Sequence, residues 1–188
     1  MMNTIRFFIL TAFTFLSSNL YSQSFKEPKT FSGFGKIQVN YALGINEVFN
    51  EQKVNPFQIK LIFGKQNDFV GVGIGVATVN YKSLGSDIKL NLNTTSFSLN
   101  GHYNLKRFSE NINTPFVRAS LGYAPKIFRD YAKGLNYDAA IGFIVSNKKG
   151  GRYFVEAQYQ VQQFEGFMYQ TNNRTIAEAI GAGLGFWF

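Results

Sequence analysis

A chain of 188 residues with 19 Lys+Arg against 11 Asp+Glu, a formal net charge of +8 and 17% aromatic residues has the length of one domain. It contains no cysteine, which excludes disulfides, thiolate metal sites, a cysteine nucleophile and a lipid-modified cysteine together. Its basic residues are scattered among turns rather than gathered on a helix or in a tract, so nucleic acid is not an expected partner.

The chain opens on a basic start, Met1 to Arg6, followed by the apolar run Phe7 to Leu16 and a small, polar stretch from Ser17 to Gln23. This is the pattern of a cleaved signal peptide over residues 1–22. The apolar run is about half of the roughly 20 residues that a spanning helix needs. A polar lead (residues 23–33) follows, and residues 34–188 are expected to form a single barrel domain.

From Gly33 onward the sequence falls into eight segments that alternate with the period of two of a strand. In Gly35 to Ile45, Ile37, Val39, Tyr41 and Leu43 oppose Lys36, Gln38, Asn40 and Ala42; in Pro56 to Gly64, Phe57, Ile59, Leu61 and Phe63 oppose Gln58, Lys60 and Ile62. The tight turn Lys65 to Asp68 leads to Phe69 to Asn80, where valines and Ile74 face glycines and Ala77. Its VGVGIGV run has the alternation of a strand and no helix after it, which sets aside a nucleotide loop. The fourth segment, Thr95 to Leu105, is preceded by Ile88, Leu90 and Leu92 in the opposite phase. Either a bulge near Asn93 or a projecting hairpin over Tyr81 to Leu92 explains that phase, and the turn residues Gly85-Ser86-Asp87 favour the hairpin.

Pro115 to Ala124, Gly134 to Ser146 and Arg152 to Gln162 supply three further strands, the last two joined by the basic turn Asn147 to Gly151. The eighth, Arg174 to Phe188, carries Ile180, Ala182, Leu184, Phe186 and Phe188 on one face and Ala179, Gly181, Gly183, Gly185 and Trp187 on the other. Each segment has about the 9–11 residues that a tilted strand needs to cross the hydrocarbon. Connections after the second, fourth and sixth are expected to be compact and the others longer, as periplasmic turns and outer loops are.

Apolar residues at alternate positions up to a terminal aromatic, Leu184, Phe186 and Phe188, resemble the closing strand of bacterial outer-membrane β-barrels, whose assembly machinery reads that terminal signal. Over roughly Gly33 to Phe188 the chain resembles the small outer-membrane barrel family. The resemblance implies an all-β, eight-stranded antiparallel up-and-down transmembrane barrel in the outer membrane of a Gram-negative bacterium, reached by export. It also implies outer-membrane lipid, lipopolysaccharide and the assembly machinery as partners, and commonly a role in envelope integrity, adhesion or a larger envelope machine.

Which face lies outside follows from the polar one. In a soluble barrel that face would meet water and be rich in Lys and Glu; here it is Gly, Ala, Ser, Asn and Gln with isolated charges. Those charges, Lys36, Lys60, Arg118 and Arg152 with Asp138 and Glu156, are expected to meet in the lumen as an ion cluster centred on Glu156. His102, the only histidine, reads as a polar lumen residue rather than a general base, because Ser98 and Ser96 share its face but lie about 13 and 20 Å along the strand. No metal or cofactor is expected. Lys126, Arg129, Tyr131 and Lys133 in an outer loop are the candidates for contact with lipopolysaccharide phosphates or an envelope protein. The expected function is a non-enzymatic barrel with a closed lumen; a narrow pore for ions or small solutes is the second reading and a lipid-modifying enzyme the third.

Overall fold

The computed structural model describes residues 31–48, 52–83, 91–107, 113–127, 132–146, 151–165 and 174–188. The segment expected to be a signal peptide, the Gly85-Ser86-Asp87 tip and most of the basic turn lie outside these residues. Eight strands follow one another: β1 (Ser32–Gly44), β2 (Val54–Gln66), β3 (Val70–Ser83), β4 (Asn91–Asn104), β5 (Thr114–Ala124), β6 (Gly134–Ser146), β7 (Arg152–Glu165) and β8 (Arg174–Trp187). Each pairs antiparallel with the next, and β1 pairs antiparallel with β8, so the sheet is a closed barrel without an edge.

The alternation sorts the side chains as a membrane requires. Ile74, Leu99, Leu121, Ile141 and Leu184 stand exposed on the outside, while Lys36, Lys60, Arg118, Glu156 and a series of Asn, Gln, Ser and Thr are buried within. A protein in water would invert this arrangement, because exposed apolar area on this scale costs free energy there. In lipid it costs nothing, and closure satisfies the backbone amides that no water could reach.

Local chemistry places the strand ends. Between β2 and β3, Asn67 Oδ1 accepts from the amides of Phe69 (2.9 Å) and Val70 (2.8 Å), an Asx turn that reverses the chain. At the start of β6, Gly134 has φ +150°, and a Cβ there would run into the backbone carbonyl of Gln163, so only glycine fits.

Two expectations need correction. β3 and β4 pair without interruption from Val70↔Tyr103 to Lys82↔Asn91, so no bulge resets the register at Asn93, and the favoured hairpin, with Tyr81 paired to Leu92, is the continuation of these two strands rather than a separate element. Leu92 keeps the phase of the lumen face and is buried with Tyr81 inside the barrel mouth; its odd phase is that of an apolar lumen residue. Tyr81, expected at the base of a projecting hairpin, is therefore an interior residue. The β4–β5 connection (105–113) is also no shorter than the outer β1–β2 loop (45–53), so compactness does not by itself mark the periplasmic side.

The outward orientation of Ile141, 62% exposed, gives a direct test. Ile141→Arg should destabilise the vesicle-inserted protein by about 2–4 kcal/mol in urea titration, because a cation is forced into hydrocarbon. The same change on a water-facing surface would fall within about 0.5 kcal/mol.

Candidate functional site

The lumen is filled in three tiers. At the turn end, Phe34 of β1, Ile62 of β2, Phe116 of β5, Ile144 of β6, Phe154 of β7 and Trp187 of β8 form one buried cluster. Lys36 reaches into it: its Nζ lies 3.2 Å from the centre of the Trp187 ring, 5.4 Å from that of Phe116, 5.5 Å from that of Phe34 and 6.0 Å from that of Phe154. Cation–π attraction of this kind is worth about 2 kcal/mol or more when desolvated.

His102 closes the box. Its ring packs edge-on against Phe34 and Trp187, with centroids 5.1 and 4.7 Å apart. Lys36 Nζ stands 3.4 Å from its Nδ1 and Gln66 Oε1 3.1 Å from its Nε2. An ammonium can only donate, so Nδ1 accepts, and Nε2 carries the proton given to Gln66. Both nitrogens are engaged, which leaves neither for a serine hydroxyl.

The middle tier is ionic. Arg118 grips Glu156 with two nitrogens, Nε to Oε2 at 3.0 Å and Nη2 to Oε1, while its Nη1 pairs with Asp138 Oδ1. Lys60 donates across the lumen to Asp138 Oδ2 and to Ser120 Oγ, both at 2.9 Å, and Ser120 donates in turn to Asp138. Gln38 donates to Glu156 at 3.4 Å, Arg118 Nη2 to Gln158 at 3.3 Å and Asn40 to Gln58 at 2.7 Å. Two cations and two carboxylates balance here. Above them Val54, Val79, Tyr81, Leu92, Phe164 and Ala177 form a second apolar cluster at the loop end, with Tyr81 edge-on to Phe164 at 5.1 Å.

Of the six lumen charges singled out in the sequence, Lys60, Arg118, Asp138 and Glu156 thus form one network. Lys36 does not join it: among the described residues no carboxylate pairs with its ammonium, and aromatic rings take that role. Arg152 stands at the turn end of β7, paired in register with Ser146 and Trp187, four residues along the strand from Glu156. Neither apolar tier was anticipated. The sequence signal for the lower one was four large aromatics, Phe34, Phe116, Phe154 and Trp187, on otherwise small or polar faces.

At the outer rim Lys126 is exposed, and Lys133 lies 3.7 Å from Glu165, to which it also bridges through the backbone. Arg129 and Tyr131 lie outside the described residues. Leu184, Phe186 and Phe188 occupy the outer face at the foot of β8, where Phe186 and Phe188 stack with centroids 6.0 Å apart. Among the described residues no group of three His, Asp or Glu could hold a metal ion.

No protein-family model and no curated protein matches the chain. Among solved structures it is similar to Neisserial surface protein A, with 13% identity, 85% of this chain and 100% of that one covered and a TM-score of 0.51. It also matches the N-terminal β-barrel domain of Pseudomonas aeruginosa OprF, at 15% identity over 85% of this chain and 100% of that one, TM-score 0.45. The outer membrane enzyme PagL matches at 16% identity over 78% of this chain and 97% of that one, TM-score 0.39. The chain has the fold of the eight-stranded outer-membrane barrels, and identities this low speak to fold alone.

Removing one member of the ionic tier leaves its partner buried and uncompensated, at a cost of about 3–5 kcal/mol. Glu156→Gln should therefore lower the temperature of the heat-modified gel transition well below that of the native chain. Glu165→Gln at the rim should change stability by no more than about 1 kcal/mol. Equal transitions in the two variants would remove the network from the account.

Proposed function

We propose that the protein is a non-enzymatic, non-conducting outer-membrane barrel: a rigid post whose outer loops make contact with lipopolysaccharide or an envelope protein. The observation that carries this reading is the filled lumen. An ion entering from either end meets a buried apolar cluster before it reaches the polar middle, and at the lower one a cation also meets the Lys36 ammonium. The engagement of both His102 nitrogens by Lys36 and Gln66 favours a structural over a catalytic role. The contact surface is the loop rim, where Lys126 is exposed and can meet phosphate oxygens and Lys133 is shared with Glu165.

The pore reading is separated from this one in planar bilayers. The purified barrel should show no stepwise conductance in symmetrical salt, while Phe116→Ala/Trp187→Ala should open steps by emptying the lower tier. Stepwise conductance by the native protein would replace the closed post with a pore. At the rim, Lys126/Arg129/Lys133→Ala should reduce co-purified lipopolysaccharide severalfold, and unchanged retention would argue against the phosphate contact.

A further inference from the structure

We propose that the outer wall of β2–β4, at its loop end, is a docking face for the phosphorylated sugar headgroup of lipopolysaccharide. This depends on the reading above that lipopolysaccharide is met at the loop end, and it places a contact on the wall as well as at the rim. Phase sets the direction of the side chains. Tyr81 and Leu92 are buried in the lumen, so Asn80, Lys82, Asn91 and Asn93 beside them point outward. Three successive outward pairs are polar, Thr78↔Thr95, Asn80↔Asn93 and Lys82↔Asn91, and they stand above the apolar pairs Ile74↔Leu99 and Val76↔Phe97.

On this wall the apolar surface stops early. Counted from the turn end, the outward positions of β6 are apolar from Val145 to Leu135, whereas those of β3 are apolar only from Val70 to Val76. By the rise of a strand these stretches are about 33 and about 20 Å long. At a tilt of about 40° they reach heights of about 25 and about 15 Å, so β6 spans the full apolar band of such a barrel and β3 does not. Thr78 and Asn80 stand about 20 and about 25 Å up the same wall, and Lys82 about 30 Å. Hydroxyls and carboxamides at acyl-chain depth cost free energy unless they are hydrogen-bonded. A headgroup drawn down onto this wall supplies the partners.

The chemistry selects a sugar phosphate. Asn80 Nδ2 donates to Asn91 Oδ1 (2.5 Å) and to Asn93 Oδ1 (2.8 Å). That arrangement holds the three carboxamides together and leaves the Nδ2 groups of Asn91 and Asn93 as donors for which no described side chain accepts. Sugar hydroxyls, ester carbonyls and phosphate oxygens all accept such bonds. The charge is supplied by Lys82 and by Lys53, which is exposed just before β2, where Val54 pairs with Ser83. No Asp or Glu occurs on β2, β3 or β4. Across the barrel, Glu165 and Glu178 have the outward phase on β7 and β8, and the described side-chain partner of Glu178 is the Tyr159 hydroxyl, which donates to it at 2.9 Å. A phosphate is therefore attracted to the β2–β4 wall and repelled from the β7–β8 wall.

The test is retention of lipid A by the full mature barrel in detergent, measured by native mass spectrometry with two probes of matched acyl chains, one bisphosphorylated and one fully dephosphorylated. The native protein should retain the bisphosphorylated probe about tenfold over the other, and Lys53→Gln/Lys82→Gln should reduce that ratio to about twofold or less. Asn91→Ala/Asn93→Ala should weaken retention of both probes about fivefold through loss of the sugar contacts. Glu178→Gln on the far wall should not lower retention of either. Heat-modified gel mobility verifies that each variant is folded. A phosphate preference that survives Lys53→Gln/Lys82→Gln, or retention indifferent to Asn91→Ala/Asn93→Ala, would overturn the docking face. Loss of the preference in Lys126/Arg129/Lys133→Ala alone would leave lipopolysaccharide at the rim and not on the wall. Failure of the native protein to retain either probe would remove the lipopolysaccharide reading and this face with it.

Discussion

The guanidinium of Arg118 is the point on which the interior turns. It is buried, it cannot lose its proton, and it therefore needs carboxylates brought to it. Glu156 and Asp138 arrive from β7 and β6, and Asp138 is shared with Lys60, which crosses from β2. The network consequently ties opposite walls of the barrel together instead of merely lining one of them. An eight-stranded lumen is just wide enough for side chains to fill, and the length of Glu156 is accommodated because Gly142 and Gly183 flank it in register on the two neighbouring strands. A Cβ at Gly183 would stand 3.2 Å from Glu156 Cγ, and one at Gly142 would stand 2.9 Å from Glu156 Cβ.

Closure of the sheet is held from both faces of one strand. On the lumen side Trp187 of β8 pairs in register with Lys36 of β1 and carries its ammonium on the indole ring. On the lipid side Phe188 exchanges backbone hydrogen bonds with Gly35, at 2.6 and 2.9 Å, while its ring lies over that glycine and edge-on to Phe63 of β2. A side chain at position 35 would collide with the ring, so the small residue on the first strand and the aromatic on the last are one feature. The end of the chain thus finds the beginning by packing inside and out, and burial of Lys36 is complete only when the seam is shut.

The division of faces was legible because it depends on nothing beyond the pleat: once alternate residues are known to be apolar, every side chain from Ile37 to Leu184 is assigned. The meeting of Arg118 with Glu156 was legible for a related reason, since strand positions counted from the periplasmic turns set the heights of charges that must be paired. What could not be read was the convergence of side chains from several strands on a group that has no counter-charge. The box around Lys36 takes its rings from β1, β5, β7 and β8, and no local pattern says that these four will converge on one ammonium. Leu92 failed for the opposite reason: a rule that lumen residues are polar made a bulge or a separate hairpin look necessary, where the lumen in fact ends in an apolar layer with Tyr81 and Phe164.

That apolar layer and the outward Glu178 are departures from the same rule, and the protein treats them differently. A hydrophobic residue inside the barrel finds hydrophobic neighbours and closes the mouth. Arg118 and Lys60 inside find counter-charges, and Lys36 finds aromatic rings. Glu178 is on the wall, where among the described residues one phenol, Tyr159, donates to it. Local violations that are not compensated within a fold mark the places where something else completes it. Inside the barrel even the exception, Lys36, is compensated, by aromatic rings in place of a carboxylate.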